Sequence, residues 1–182
     1  CKSKSQEDKM DFDNESSSGN IAIVYAVGDI VSGEGERNQI GSEKIAGAIQ
    51  EARLNDEVKA IVLRVNSPGG SALASDVIWR EVILAKEAKP FIVSMGDVAA
   101  SGGYYISCGA DWIFAQPNTI TGSIGVFGMI PNVGPMLEDK LGITFDRAQT
   151  NNQSLLSFTK GLSEMEKSII QSEIDVIYND FI

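Results

Sequence analysis

The chain has 182 residues, 43% of them hydrophobic and 22% charged, enough apolar material for one domain with a sizeable core. Its net charge of −10 argues against nucleic acid or an anionic membrane surface as the main partner. It contains no histidine, so a Ser-His-Asp triad cannot be built from it.

Residues 1–19 are polar, charged and serine-rich and are expected to be a linker or disordered arm, with a folded domain over residues 20–182. The two cysteines, Cys1 and Cys108, are too few for a disulfide framework, and Cys108 is expected as a small buried residue in a helix. No apolar stretch approaches the roughly 20 residues that span a bilayer. No signal peptide opens the chain, so the polypeptide as given is expected to be soluble.

Residues 21–27 form a compact apolar run, the first expected strand, and glycine-rich residues 28–41 an expected loop. Ser42 is placed to cap a helix whose Ile45, Ile49 and Ala52 recur at helical spacing. Residues 59–65 are the second strong strand. The run Asn-Ser-Pro-Gly-Gly-Ser-Ala at 66–72 halts it, and Ser71 can cap the next helix, with Leu73, Val77 and Leu84 on one face. Lys89 and Pro90 end that helix, and residues 91–95 form the third strand. Ser101 opens a third helix running to about Gly109.

A short strand is expected at 111–115, strand-like backbone at 121–128, a short helix at 135–140 and a strand at 143–147. Residues 150–159 are polar and irregular. Ser163 and Glu166 make a capping box for a final helix with Ile170, Ile174, Ile177 and Phe181 on one face. That helix runs to Ile182 without a stop signal, as expected of a chain cut from a longer one. Alternating strands and helices predict parallel βαβ units, which bind ligands at the carboxyl ends of their strands.

Two glycine-bearing turns fall at that edge. Residues 96–107 read Gly-Asp-Val-Ala-Ala-Ser-Gly-Gly-Tyr-Tyr-Ile-Ser, and the strand-to-helix turn within them suits Ser101 as a nucleophile. In the turn after Val65, the Gly69 and Gly70 amides have no side chains to block approach and can face a developing oxyanion. The helix starting at Ser71 adds a positive dipole end. Taken singly, Pro-Gly-Gly is an ordinary turn and Ala-Ser-Gly-Gly an ordinary helix start. Their recurrence at successive strand ends is what points to a site. Such a nucleophile needs a base, and lysine leads when histidine is absent.

Of the ten lysines, Lys2, Lys4 and Lys9 lie in the polar arm, and Lys86, Lys89, Lys140 and Lys167 read as solvated helix ends. Lys160 is the one placed to fold back over the Ser101 turn. The residues themselves leave the base without a firm assignment. The chemistry calls for no cofactor and no metal.

Three ordered motifs carry a resemblance: Asn-Ser-Pro-Gly-Gly-Ser from Asn66, the run around Ser101, and Thr-Gly-Ser-Ile-Gly-Val-Phe-Gly from Thr121. Together, over residues 20–182, they resemble the signal peptide peptidase A family, the protease IV type of serine peptidase. The resemblance implies an α/β fold like that of the Clp protease and crotonase superfamily, built from repeated ββα units. It implies a Ser/Lys dyad in which Ser101 matches the nucleophile and Gly69 and Gly70 match the oxyanion turn. Short family members place the lysine about fifty residues after the serine. The matching stretch here, Thr-Asn-Asn-Gln-Ser-Leu from Thr150, has none.

The pattern fits the carboxyl-terminal half of the long form, in which an amino-terminal repeat supplies the lysine. The chain alone is then expected to be catalytically incomplete. The resemblance further implies signal peptides and other extended apolar peptides as substrates, assembly with copies of itself, and a membrane-anchored parent acting outside the cytoplasm. Two alternatives stand beside it: a scaffold repeat used only for assembly, and a crotonase-like acyl-CoA enzyme.

Overall fold

The computed structural model describes residues 19–146, 148 and 157–182. Residues 1–18 of the expected arm at 1–19, and the stretch from Thr150 to Leu155, lie outside the described residues.

The frame is a parallel sheet. Strand β1 (Asn20–Val27) pairs with β4 (Val58–Ser67), and β4 pairs with β5 (Phe91–Ala100). Two short strands line the far side of β5, β6 (Trp112–Phe114) beside its start and β7 (Ile120–Gly122) beside its end. The connections are helices: α1 (Ser42–Leu54), α2 (Ala72–Ala88) and α3 (Gly102–Cys108). Helices α4 (Gly134–Leu141) and α5 (Glu164–Phe181) follow the sheet.

One face of the sheet makes the core. Ala22, Val24 and Ala26 from β1, Ile61, Leu63 and Val65 from β4, and Phe91, Val93 and Met95 from β5 point the same way. They meet Ile45 and Ile49 of α1, Ile78 and Val82 of α2, and Ile106 of α3. Fully burying one such side chain stabilises by about 1.5–3 kcal/mol. The alternate residues of β1, Ile21, Ile23, Tyr25 and Val27, are apolar as well, yet they lie 49–65% exposed. The period-2 pattern of β1 therefore divides two apolar sets rather than an apolar from a polar one.

Several expectations need correction. The 28–41 loop contains two short parallel strands, β2 (Asp29–Val31) and β3 (Gln39–Gly41). Ser42 does not cap α1: it is the first helical residue, and its hydroxyl accepts from the Gly33 N–H. The buried stripe of α2 is Ala74, Ser75, Ile78, Val82 and Ala85, while Leu73 and Val77 face outward. Small residues let α2 approach the sheet, and helical hydropathy alone picked the larger side chains instead.

Strand β5 runs on to Ala100 rather than stopping at Met95. Regular strand after Thr121 ends at Gly122, and residues 143–146 form no strand. Cys108 ends α3 exposed, not buried.

The capping box at the start of α5 is present: Glu166 N–H donates to Ser163 Oγ at 3.3 Å, and Ser163 N–H to Glu166 Oε2 at 2.7 Å. Hydrogen bonds from Ser163 hold the Glu166 carboxyl below its usual range. Because the folded pKa is the lower one, this stabilisation is present above the unfolded value and is lost as pH falls through the folded one. Ser163→Ala is expected to cost about 0.5–2 kcal/mol, seen as a lower midpoint in urea unfolding at pH 7. The gap between variant and parent should narrow on acidification below the carboxylate range.

Candidate active site

Two neighbouring strands end at the same edge, and each ends in a conformation that ordinary residues avoid. After β4, Gly69 has φ +107° and Gly70 φ +153°. The turn is clamped by Ile30 of β2, whose N–H donates to Gly69 O at 2.9 Å and whose carbonyl accepts from Ser71 N–H at 2.8 Å. Ser71 then caps α2, accepting from Ala74 N–H at 3.3 Å. This fixes the two glycines between a buried strand and a helix start.

After β5, Ser101 is the N-cap of α3 with φ 52° and ψ −120°. A non-glycine residue held there stores about 1–3 kcal/mol of backbone strain. A sharp strand-to-helix turn of this kind lifts a nucleophile clear of its neighbours. The backbone around it is tied down: Ser101 N–H donates to Gly122 O at 2.9 Å, and Ser101 O accepts from Tyr105 N–H at 2.9 Å. Its hydroxyl makes no capping bond, and the residue as a whole is half-exposed.

The two turns touch. A Cβ on Gly69 would lie 2.7 Å from Gly102 N and 2.8 Å from Ser101 Cβ. The glycine amides differ in what they have to do. Gly69 N–H donates to the buried Ser67 Oγ at 3.1 Å. Gly70 N–H has no acceptor among the described residues, and it faces away from the Ile30 bridge. Gly102 N–H, in the first turn of α3, is likewise open, as the first amides of a helix are. Gly102 is a donor beyond the Gly69 and Gly70 expected from sequence, and its place directly after the serine is the signal that marks it.

Ser101 stands between two hollows. One, of about 270 Å³, is walled by Ser75, Tyr105, Val126, Phe127, Ile177 and Phe181. The other, of about 550 Å³, is lined by Asp29, Pro68, Gly69, Gly70, Ser123 and Ile124, among others. Tyr105 is the fixed wall of the first. Its hydroxyl donates to Asp76 Oδ1 at 3.0 Å, and its ring packs against Trp79 and Phe181 with centroids 5.9 and 4.7 Å away. Burial and the Asp76 carboxylate push the phenol well above its usual pKa. Ile177 and Phe181, far off in sequence, reach this wall because the end of α5 meets α3, Phe181 lying against Tyr104 and Tyr105.

No lysine lines either hollow among the described residues. Lys160 is exposed, on the segment entering α5, where its charge acts on Glu166. Lys89 is a correction: it is half-buried, not solvated, and its Nζ donates to the carbonyls of Ala52 and Asn55 at the end of α1. Burial holds its pKa below the ordinary lysine value, as a base requires. It precedes β5 while Ser101 follows it, so the length of the strand, roughly 30 Å, separates the two.

A serine held at a strained strand-to-helix turn, set against a glycine turn at the carboxyl edge of a parallel sheet, fits one class: an α/β fold of the Clp protease and crotonase kind. The Clp protease family model matches residues 21–121. The model of peptidase family S49 matches residues 83–182, and the chain belongs to that family, in its signal peptide peptidase A type.

Protease 4 of Salmonella typhi is 47% identical over 165 residues, covering 90% of this chain and 26% of that protein. Protease 4 of Haemophilus influenzae is 44% identical over 163 residues, covering 89% of this chain and 26% of its own length. The chloroplastic serine protease SPPA of Arabidopsis thaliana is 48% identical over 110 residues, covering 58% of this chain and 16% of its own. The chain thus spans about a quarter of the length of the two Protease 4 relatives.

Proposed function

We propose that this chain carries the nucleophile and the oxyanion donors of a serine peptidase, completed by a lysine from another part of the same protein. The observation that carries the reading is the Ser101 hydroxyl. It is free of capping bonds, held at φ 52°, and set between two hollows beside the Gly69–Gly70 turn.

In the reaction, a neutral lysine amine takes the Ser101 proton as Oγ attacks the peptide carbonyl carbon. The carbonyl electron pair moves to oxygen, and the open amides of Gly70 and Gly102 face that oxyanion, while the Gly69 N–H, expected as a donor, is bonded to Ser67 Oγ and holds the turn instead. A donor so placed contributes about 10²–10³-fold in rate. The C–N bond then breaks, the lysine returns the proton to the leaving amine, and an acyl ester remains on Ser101. Water adds to the ester, the acid departs, and the serine is restored.

The two hollows on either side of Ser101 favour an extended peptide, and the apolar wall of the smaller one favours apolar side chains such as those of signal peptides. Assembly with further copies and a membrane-anchored parent facing out of the cytoplasm belong to the same proposal. Among the described residues no helix is long and apolar enough to cross a membrane.

The test uses the intact protein. A fluorophosphonate should label Ser101, and casein should be hydrolysed, whereas these 182 residues alone should show little turnover. Strong turnover by the isolated chain would mean that its base lies within it. A scaffold repeat is the second reading, favoured by the absence of a lysine from both hollows among the described residues. It requires an intact protein that is neither labelled at Ser101 nor proteolytic.

A further inference from the structure

The pairing of β4 with β5 changes register just before the site. Val65 lies opposite Met95, but Ser67 lies opposite Ala99. Two steps along β4 are matched by four along β5, so β5 carries two extra residues. The consequence is geometric. Two residues past the Ser67–Ala99 pair, Gly69 stands against Ser101, as their close contact requires. Had the earlier register continued, Gly69 would face Ala99, and Ser101 would overshoot the glycine turn by two residues, roughly 7 Å.

An inserted pair of residues leaves backbone groups without ladder partners, and these must be bonded elsewhere. Val98 N–H donates to the side-chain Oδ1 of Asn66 at 3.0 Å. Gly96 O accepts from Thr119 Oγ1 at 2.8 Å. The Asn66 carboxamide fits because residue 96 has no side chain: a Cβ there would lie 3.0 Å from both Asn66 Cγ and Oδ1.

We propose that Asn66 is a positioning residue for the nucleophile: its side-chain oxygen holds the bulge in β5 that brings Ser101 opposite Gly69. The placement rests on the peptidase reading only for its effect on rate. What matters is an acceptor at Oδ1, which aspartate keeps and leucine lacks. In the intact protein, Asn66→Leu should lower the rate of fluorophosphonate labelling at Ser101 by about 10²-fold, the scale expected for a reacting group displaced by about an ångström. Asn66→Asp should stay within a few-fold of the parent. Hydrogen exchange at the Val98 amide should be slow in the parent and the Asp variant and fast in the Leu variant.

Gly96→Ala should slow labelling as well, and adding it to Asn66→Leu should slow it little further. Should the Leu variant not fold, Asn66→Ser, too short to reach Val98, serves in its place with the same expected results. A Leu or Ser variant labelled at the parental rate overturns the proposal. So does an equal loss in the Asp and Leu variants. A parent that is not labelled at Ser101 overturns the peptidase reading instead. Val98 exchange then still decides the role of Asn66, which stands if protection survives in the Asp variant alone and falls otherwise.

Discussion

Replacing Ser101 with alanine in the intact protein is expected to remove peptide hydrolysis, with a loss in kcat on the order of 10⁴–10⁶-fold, as for serine nucleophiles generally. Labelling by fluorophosphonate should vanish with it. Stability should barely move. Alanine keeps the same φ of 52°, the backbone bonds to Gly122 and Tyr105 do not involve the hydroxyl, and no capping bond is lost. A thermal melt beside the activity assay separates the two effects. Full activity in the alanine variant would remove Ser101 from the chemistry altogether.

Gly69→Ala is expected to have the second largest effect, and on both properties. The new methyl would press on Gly102 N and Ser101 Cβ, and on Ala100 O at 3.0 Å. All three belong to the turn that holds the serine, and none is the far end of a flexible side chain. The φ of +107° adds backbone strain. Together these should cost about 1–3 kcal/mol in stability and at least about 10²-fold in the rate of labelling. Gly47→Ala is the matched control. It lies within α1 with nothing within 4 Å of the added methyl, so helix propensity should make it neutral or stabilising while labelling is unchanged. Equal effects at Gly47 and Gly69 would refute the close approach of the two turns.

The parallel frame was legible because its signals are local. The apolar runs of β1, β4 and β5, the Pro68 and Pro90 stops and the Ser163–Glu166 box each act within a few residues. The turns bearing Ser101, Gly69 and Gly70 could be placed on one edge for the same reason. What escaped depends on partners distant in sequence. β2 and β3 are three-residue strands that exist through each other and through the Gly70 bridge, with no run long enough to announce them. The extension of β5 to Ala100 rests on Asn66, Thr119 and Thr121, of which Thr121 donates to Ala99 O at 2.8 Å. No local pattern in the Gly96–Ala100 stretch foretells them. The wall of the smaller hollow, where Phe181 meets Tyr105, appears only once α5 has packed.

The φ of Ser101 also bears on how this protein can change over time. Glycine would relax the turn at no steric cost, so under the proposed role of Ser101 the more robust fold and the nucleophile call for different amino acids at that one place. A lineage released from the need for a nucleophile should drift there first, and a thermostability screen that ignores turnover should rediscover the same exchange.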